Sequence, residues 1–409
     1  MTSDKWVSGG KEQASWEVTT IISYPICGRG WKYMSHVSGL NTNTIVVGVD
    51  VHKYSHTAFA IDCFGQALGI HEFSNDYLDK FVIWLDSLGS RENLLVALED
   101  VNGYGCHIVK CLASEEIVMR YVPGILTERK RKQSIHREKS DSVDAERVAK
   151  VILTNYEETL PAKESIANQA ERTVATNLDF LITERRSLVS GQTIMKNQLH
   201  AMLHQLQGDH YADQFIKVFT PKSVKYFQQS MCESENTETD LERLALTASI
   251  QRRLKRLELT ASQIKEIDDS MKKTALSSPA VQALRVGVTG CGNITACTLA
   301  AEITTIHRFR TKAQFARYAG IAPIHKSSGN HKRLYTSPYG NRKVNRALHT
   351  MALYQISRRD DHPGKIYYQK KLAEGKTKLW ALRCLKRQLA NRVFQTLKNE
   401  YNARTIPAT

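Results

Sequence analysis

Ile45-Val46-Val47-Gly48-Val49-Asp50-Val51-His52-Lys53 decides how the rest of this 409-residue chain is read. It is a β-branched run between the polar Asn41 and Asn43 and the polar Lys53-Tyr54-Ser55, which predicts a buried strand over 45–51. Asp50 sits inside it. A lone carboxylate in such a strand costs several kcal/mol unless it is paired, neutralised or bound to a cation. A solvated Asp near the strand's end is the plain alternative. Two further acidic features downstream favour a chemical role instead.

Working outward, 56–62 and 67–73 read as the next two strands, joined by a turn at 63–66. Helical spacing follows over 76–88, then a fourth strand over 94–98 that ends at Glu99. A helix over 103–113, a fifth strand over 118–122 and a helix over 140–153 complete the unit, with Ser140 as N-cap. Three strands in hairpin order followed by strand–helix alternation is the ribonuclease H-like pattern, and it predicts an α/β domain over 44–160. In such a sheet Glu99 ends the strand next to Asp50. Asp141 and Asp144, spaced i, i+3, share one helical face. Four hard oxygen donors of this kind suit Mg²⁺, and a pair of ions can stabilise both the attacking and leaving oxygens of a phosphoryl transfer. Asp62, Asp100 and Glu146 are read as surface or capping residues.

Between the fifth strand and the last helix lies a basic stretch, 128–139, holding Arg129, Lys130, Arg131, Lys132, Arg137 and Lys139. It is expected to stay mobile until it meets a phosphate backbone. Residues 165–206 carry a heptad seam through Val174, Leu178, Leu181, Leu188, Met195, Leu199, Met202 and Leu206, and 241–273 carry another through Ile250, Leu254, Leu257, Ala261, Ile264 and Met271. A coiled-coil helical region over 161–275 is therefore expected, either as an antiparallel hairpin within the chain or as a coil between chains. The stretch 208–240 is polar and less regular.

Residues 276–400 read as a third, mainly α-helical unit. Glycines 287, 290 and 292 precede a helix through Ala296, Leu299, Ala300 and Ile303, an arrangement that is either a tight turn or a phosphate-approaching one. Then come 309–318, a loop over 320–340, and helices over 341–357 and 376–397. Residues 1–43 hold three of the five Trp without periodicity and read as an extension lacking ordered structure; 401–409 form a tail.

The chain carries a net charge of +16, and 301–400 hold 22 Lys and Arg against 5 Asp and Glu, a local excess of +17. A basic block with interleaved Tyr, Trp and His points to nucleic acid. Lys326, Lys332, Arg333, Arg342, Lys343 and Arg346 are its candidate phosphate contacts. The eight Cys show no CxxC pair and no zinc spacing, which suits free thiols in a reducing cytoplasm. No run of eighteen apolar residues is present, so no membrane helix is expected.

Val-Gly-Val-Asp50-Val-His-Lys, Leu-Glu99 and Lys139-Ser-Asp141-Ser-Val-Asp144-Ala145 resemble the DEDD-type transposases of bacterial insertion sequences, relatives of the pilin-gene DNA invertases. The carboxyl half agrees through Phe315-Ala-Arg-Tyr-Ala-Gly320-Ile-Ala-Pro323, Ser327-Ser328-Gly329, Gly340-Asn341-Arg342-Lys343-Val-Asn345-Arg346-Ala347-Leu348 and Glu374-Gly375-Lys376-Thr377-Lys378. The resemblance runs from about residue 44 to about 400 and leaves the amino-terminal extension uncovered. It implies a RuvC-like domain whose metal tetrad is Asp50, Glu99, Asp141 and Asp144, a coiled-coil linker, and a carboxyl-terminal domain with a nucleophilic serine. Ser328 best matches that serine, with Ser327 its rival. The implied reaction joins donor and target DNA through a serine–DNA link, in a homo-oligomer from dimer to tetramer working at the bacterial nucleoid. For some members a structured bridge RNA selects the DNA partners. Two other readings stay open: a RuvC-like nuclease hydrolysing branched DNA, and an inactive nucleic-acid-binding descendant.

Overall fold

The computed structural model describes residues 39–101, 103–133, 140–213, 215–235, 240–328, 331–337, 339–358 and 361–405, with the side chains at 232–235, 325–328, 331–333 and 336 outside that description. The first unit is built on a six-stranded sheet of order β3-β2-β1-β4-β5-β6. Its strands are β1 (Ile45–Val51), β2 (Ser55–Ile61), β3 (Ala67–Ser74), β4 (Leu94–Leu98), β5 (Val118–Tyr121) and β6 (Leu160–Pro161). β1 runs antiparallel to β2 and parallel to β4, with Val49 beside Leu98, so Asp50 and Glu99 leave neighbouring strand ends. β5 is parallel to β4, and β6 closes the edge antiparallel.

The alternation of β1 sorts its side chains onto two faces. Val47 and Val49 pack with Phe81 and Leu85 of α1 (Leu78–Leu88) and with Ile108 and Leu112 of α2 (Cys106–Ser114). Val46 packs on the opposite face with Leu126 of α3 (Gly124–Gln133) and with Ala145, Val148, Ala149 and Ile152 of α4 (Asp141–Asn155). Gly48 and Asp50 share this second face by register. A β-carbon on Gly48 would overlap the Ala145 carbonyl oxygen and the Ala149 amide nitrogen, so α4 lies directly against the β1 backbone. The central sheet with helices on both faces is the expected ribonuclease H-like arrangement.

The stretch expected to be mobile over 128–139 is helical through residue 133, as the end of α3; Arg137 and Lys139 lie outside the described residues. After the short α5 (Lys163–Ile166) comes α6 (Gln169–Gln207), opened by a capping box in which Asn168 and Glu171 cap each other's backbone. It packs on α8 (Leu241–Leu276) within the chain as an antiparallel pair. The pair is anchored at two places. At one end Leu178, Ile182, Ile267, Met271 and Ala275 join the core of the carboxyl unit, and Arg185 Nε donates to Asp268 Oδ1 at 2.6 Å. At the other, Leu199, Leu203, Ile250, Leu254 and Leu257 pack with Val224, Phe227 and Met231 of α7 (Pro221–Glu235), a helix in the stretch read as irregular. No side chain from 183–198 of α6 or 258–266 of α8 is fully buried.

The carboxyl unit packs α9 (Pro279–Gly287), α10 (Asn293–Ile303), α11 (Lys312–Tyr318), α12 (Arg342–Ile356), α13 (Pro363–Ala373) and α14 (Lys378–Thr405) around Leu284, Leu299, Phe315, Leu348, Leu389 and Phe394. α13 was not expected from the sequence. The stretch read as a loop over 320–340 is instead a β-hairpin of β7 (Pro323–Ser328) and β8 (His331–Thr336), paired from Pro323–Thr336 at its root to Ser328–His331 at its tip. Its root is pinched by Gly320 and Gly340, both at positive φ, whose backbones leave no room for a side chain on either. Arg308 donates to the Pro161 carbonyl at 3.1 Å, and Arg310 and Arg317 pair with Glu157 and Glu158, tying this unit to the first.

Candidate active site

Ser140 caps α4 by accepting the Val143 amide at 3.3 Å, which starts the helix at Asp141 and turns Asp141 and Asp144 toward the end of β1. The close approach at Gly48, two residues upstream, brings that first turn against Asp50. The result is an acidic cluster at the carboxyl ends of β1 and β4. His52, one residue beyond β1, stands between two of its members: Nε2 lies 3.1 Å from Asp50 Oδ2 and 3.3 Å from Asp141 Oδ1. Ligand atoms of Asp50, His52 and Asp141 fall within 4.8 Å of one another. Asp144 accepts from Arg147 at 2.5 Å, and Glu99 accepts from Thr127 of α3.

Burial pushes the Asp50 carboxyl above its ordinary range; His52 opposes the shift, and the charges of Asp144 and Asp141 add to it. Burial also raises Glu99, the Thr127 hydrogen bond opposes, and the charges of Asp50 and Asp144 add. Asp50 thus feels the charges of Asp141 and Asp144 from the helix turn, and Glu99 those of Asp50 and Asp144. Half-buried carboxylates that also face neighbouring negative charge are a poor arrangement for stability and a good one for a hard divalent cation, which offsets both the burial and the repulsion. The residues fit Mg²⁺ chemistry in donor type. Sequence reading passed over His52, although its place two residues after Asp50 on an extended segment puts both on one face. Asp62 and Asp100 cap local turns, accepting from the amides of Phe64 and Gln66 and of Gly103 and Tyr104.

A cleft of about 1370 Å³ leads from Glu99 and Arg129 between the two units to Arg310, Arg317, Ser337 and Arg387. Of the basic residues expected to meet phosphate, Arg129 is exposed, while Arg131 and Lys132 pair with Glu128. Arg342 and Arg346 are exposed on the first turns of α12. Lys343 departs from the expectation: its ammonium is held by Asp179 at 2.6 Å and Glu302 at 2.8 Å, joining α6, α10 and α12. The backbone of Ser327 and Ser328 forms the tip of β7; their side chains, and those of Lys326, Lys332 and Arg333, lie outside the described structure.

Residues 47–207, from β1 through the end of α6, match the family model for DEDD-type IS110 transposases, described as Transposase. Residues 286–369, which include the β-hairpin and α12, match the model described as Transposase IS116/IS110/IS902 family. The insertion element IS110 uncharacterized 43.6 kDa protein of Streptomyces coelicolor is 35% identical over 111 residues, covering 27% of this chain and 27% of that one. No helix among the described residues is long and apolar enough to cross a membrane. With one model on the acidic cluster and the other on the hairpin unit, the chain belongs to the DEDD-type transposases of IS110-like insertion sequences.

Proposed function

We propose that this protein is a DNA transposase that cuts and rejoins DNA through a serine–DNA intermediate. The observation that carries the reading is the grouping of Asp50, Glu99, Asp141 and Asp144 at two strand ends and one helix turn, with Glu99 lining a cleft that runs to a second, hairpin-bearing unit. When bound there by these carboxylates, Mg²⁺ supplies charge stabilisation to phosphate oxygens.

Ser328 is the proposed nucleophile, with Ser327 as its rival. The hydroxyl oxygen bonds to phosphorus as the bond from phosphorus to the 3′ oxygen breaks, and the proton lost by serine ends on that leaving oxygen. A free Ser hydroxyl is a poor nucleophile, so neighbouring cations must stabilise the growing negative charge. Ser328 pairs with His331 at the far end of the hairpin, five residues from its root at Pro323. At about 3.3 Å per residue the strand spans roughly 17 Å. Such a reach supports delivery of the hydroxyl to a carboxylate cluster of a second subunit, in an assembly of two to four chains. The +17 excess over 301–400 supports contact with polyanions, here donor and target DNA and a structured guide RNA.

The test is to trap the reaction on nicked or mismatched DNA, denature and digest it, and search for nucleotide on the peptide holding Ser327 and Ser328 by mass spectrometry. Loss of the adduct in Ser328→Ala with retention in Ser327→Ala is expected. Cutting without any adduct would favour a hydrolytic nuclease.

A further inference from the structure

At the root of the β-hairpin a pocket of about 300 Å³ is lined by Arg342, Arg383, Lys386, Asn345, Trp380 and Tyr339. Its floor is unusual in charge. Lys386 is only 7% exposed, yet no carboxylate pairs with it among the described residues. Its ammonium donates to the neutral Asn345 Oδ1 at 2.6 Å, and Asn345 is fixed in turn by donating to the Ala319 carbonyl at 2.8 Å. Burial, with Arg383 alongside, pulls the Lys386 amine down to about 8. The Arg383 guanidinium lies 5.1 Å from the centre of the Trp380 ring, which holds its fork in place without neutralising it. Two cations built into one pocket without acidic partners among the described residues are stabilised by an incoming anion.

We infer that this pocket seats one backbone phosphate of a DNA strand, held by Lys386 and Arg383. The inference rests on the transposase reading for its ligand, and on the pocket alone for its chemistry. DNA is favoured because Pro323, Ser337, Tyr339 and Gly340 line both this pocket and the cleft that leads to Glu99. A strand lying in the cleft toward the carboxylates therefore passes the pocket's mouth. A phosphate gripped there would fix the strand relative to the root of the hairpin that carries Ser328. Lys386 and Arg383 would be positioning residues, acting through the strand they hold.

The test uses the full chain and two probes. Inorganic phosphate at constant ionic strength should raise the melting temperature of the wild type, and this increment should vanish in Lys386→Met. Without phosphate, Lys386→Met should melt no lower than wild type, because it removes a buried unpaired charge. A labelled DNA single strand, followed by anisotropy, should bind about tenfold more weakly to Lys386→Met and to Arg383→Gln, with the slope of log affinity on log salt reduced by about 1. An unchanged phosphate increment would overturn the seat, as would a variant several degrees less stable without phosphate. Loss of the increment with unchanged DNA affinity, or with weakened binding only to RNA of the same sequence, would overturn the DNA assignment. If the wild type forms no adduct but its phosphate increment still depends on Lys386, the serine-intermediate reading fails and the seat stands.

Discussion

Gly48 of β1 and Ala145 of α4 meet backbone to backbone, with no room for a β-carbon between them. This contact sets how far the first turn of α4 stands from Asp50. Gly48→Ala forces the helix outward and carries Asp141 and Asp144 with it. Overpacking a core at this level costs roughly 3 kcal/mol. Calorimetry should show a melting midpoint lowered by roughly 10 °C, and DNA cleavage should be lost even at temperatures where the variant remains folded.

The raised carboxyls of Asp50 and Glu99 give a pH signature. A carboxylate whose folded pKa is raised binds its proton more tightly in the native state. The associated stability is complete below the ordinary carboxylate range and is lost as pH rises through the raised values. Asp50→Asn mimics the protonated acid permanently. Without divalent metal it should therefore be more stable than wild type at neutral pH, and the difference should shrink as pH falls. Melts across pH for both proteins check this. Mg²⁺ should stabilise the wild type at neutral pH and leave Asp50→Asn nearly unmoved.

His52 sorts metals. Imidazole suits Zn²⁺ and Ni²⁺, whereas Mg²⁺ prefers oxygen donors and its own waters. His52→Ala should weaken Zn²⁺ binding by about tenfold or more while changing the Mg²⁺ requirement little. Competition of Zn²⁺ against Mg²⁺ in a cleavage assay reads both at once. Equal loss for both ions would make His52 a ligand of the working metal.

Lys343 holds three helices rather than a phosphate. Lys343→Met leaves Asp179 and Glu302 facing each other without a cation, a loss of roughly 1–3 kcal/mol. Chemical denaturation should report that loss. The salt dependence of DNA binding should not change, since no phosphate contact is removed.

What could be read in the sequence had a local cause. β1 shows itself as a β-branched run, and α4 through Ser140, whose cap is a matter of neighbouring residues. The hairpin of β7 and β8 gave no such sign: Pro323-Ile-His-Lys-Ser-Ser lacks clean alternation and is made a strand by its partner. α3 buries only Leu126, so its basic residues carried no helical stripe. The partners of Lys343 lie 164 and 41 positions away, and nothing local to Lys343 announces them. The acidic cluster was legible as a set of carboxylates, while His52 was hidden by its place just past the strand.

The long pair α6 and α8 is anchored at both ends and only half-buried along the seam in its middle. At about 1.5 Å per residue, the 39 residues of α6 extend about 58 Å. A stalk fixed in the carboxyl core and loosely seamed halfway is a lever with a compliant shaft, and Gly191 sits in that shaft with open space around it. If that shaft bends, the α7 head at its far end swings while its own packing stays intact. Amide exchange should then be fast over 186–194 and 258–265 and slow on both sides, and whatever the head grips would be carried through an arc rather than held at one distance.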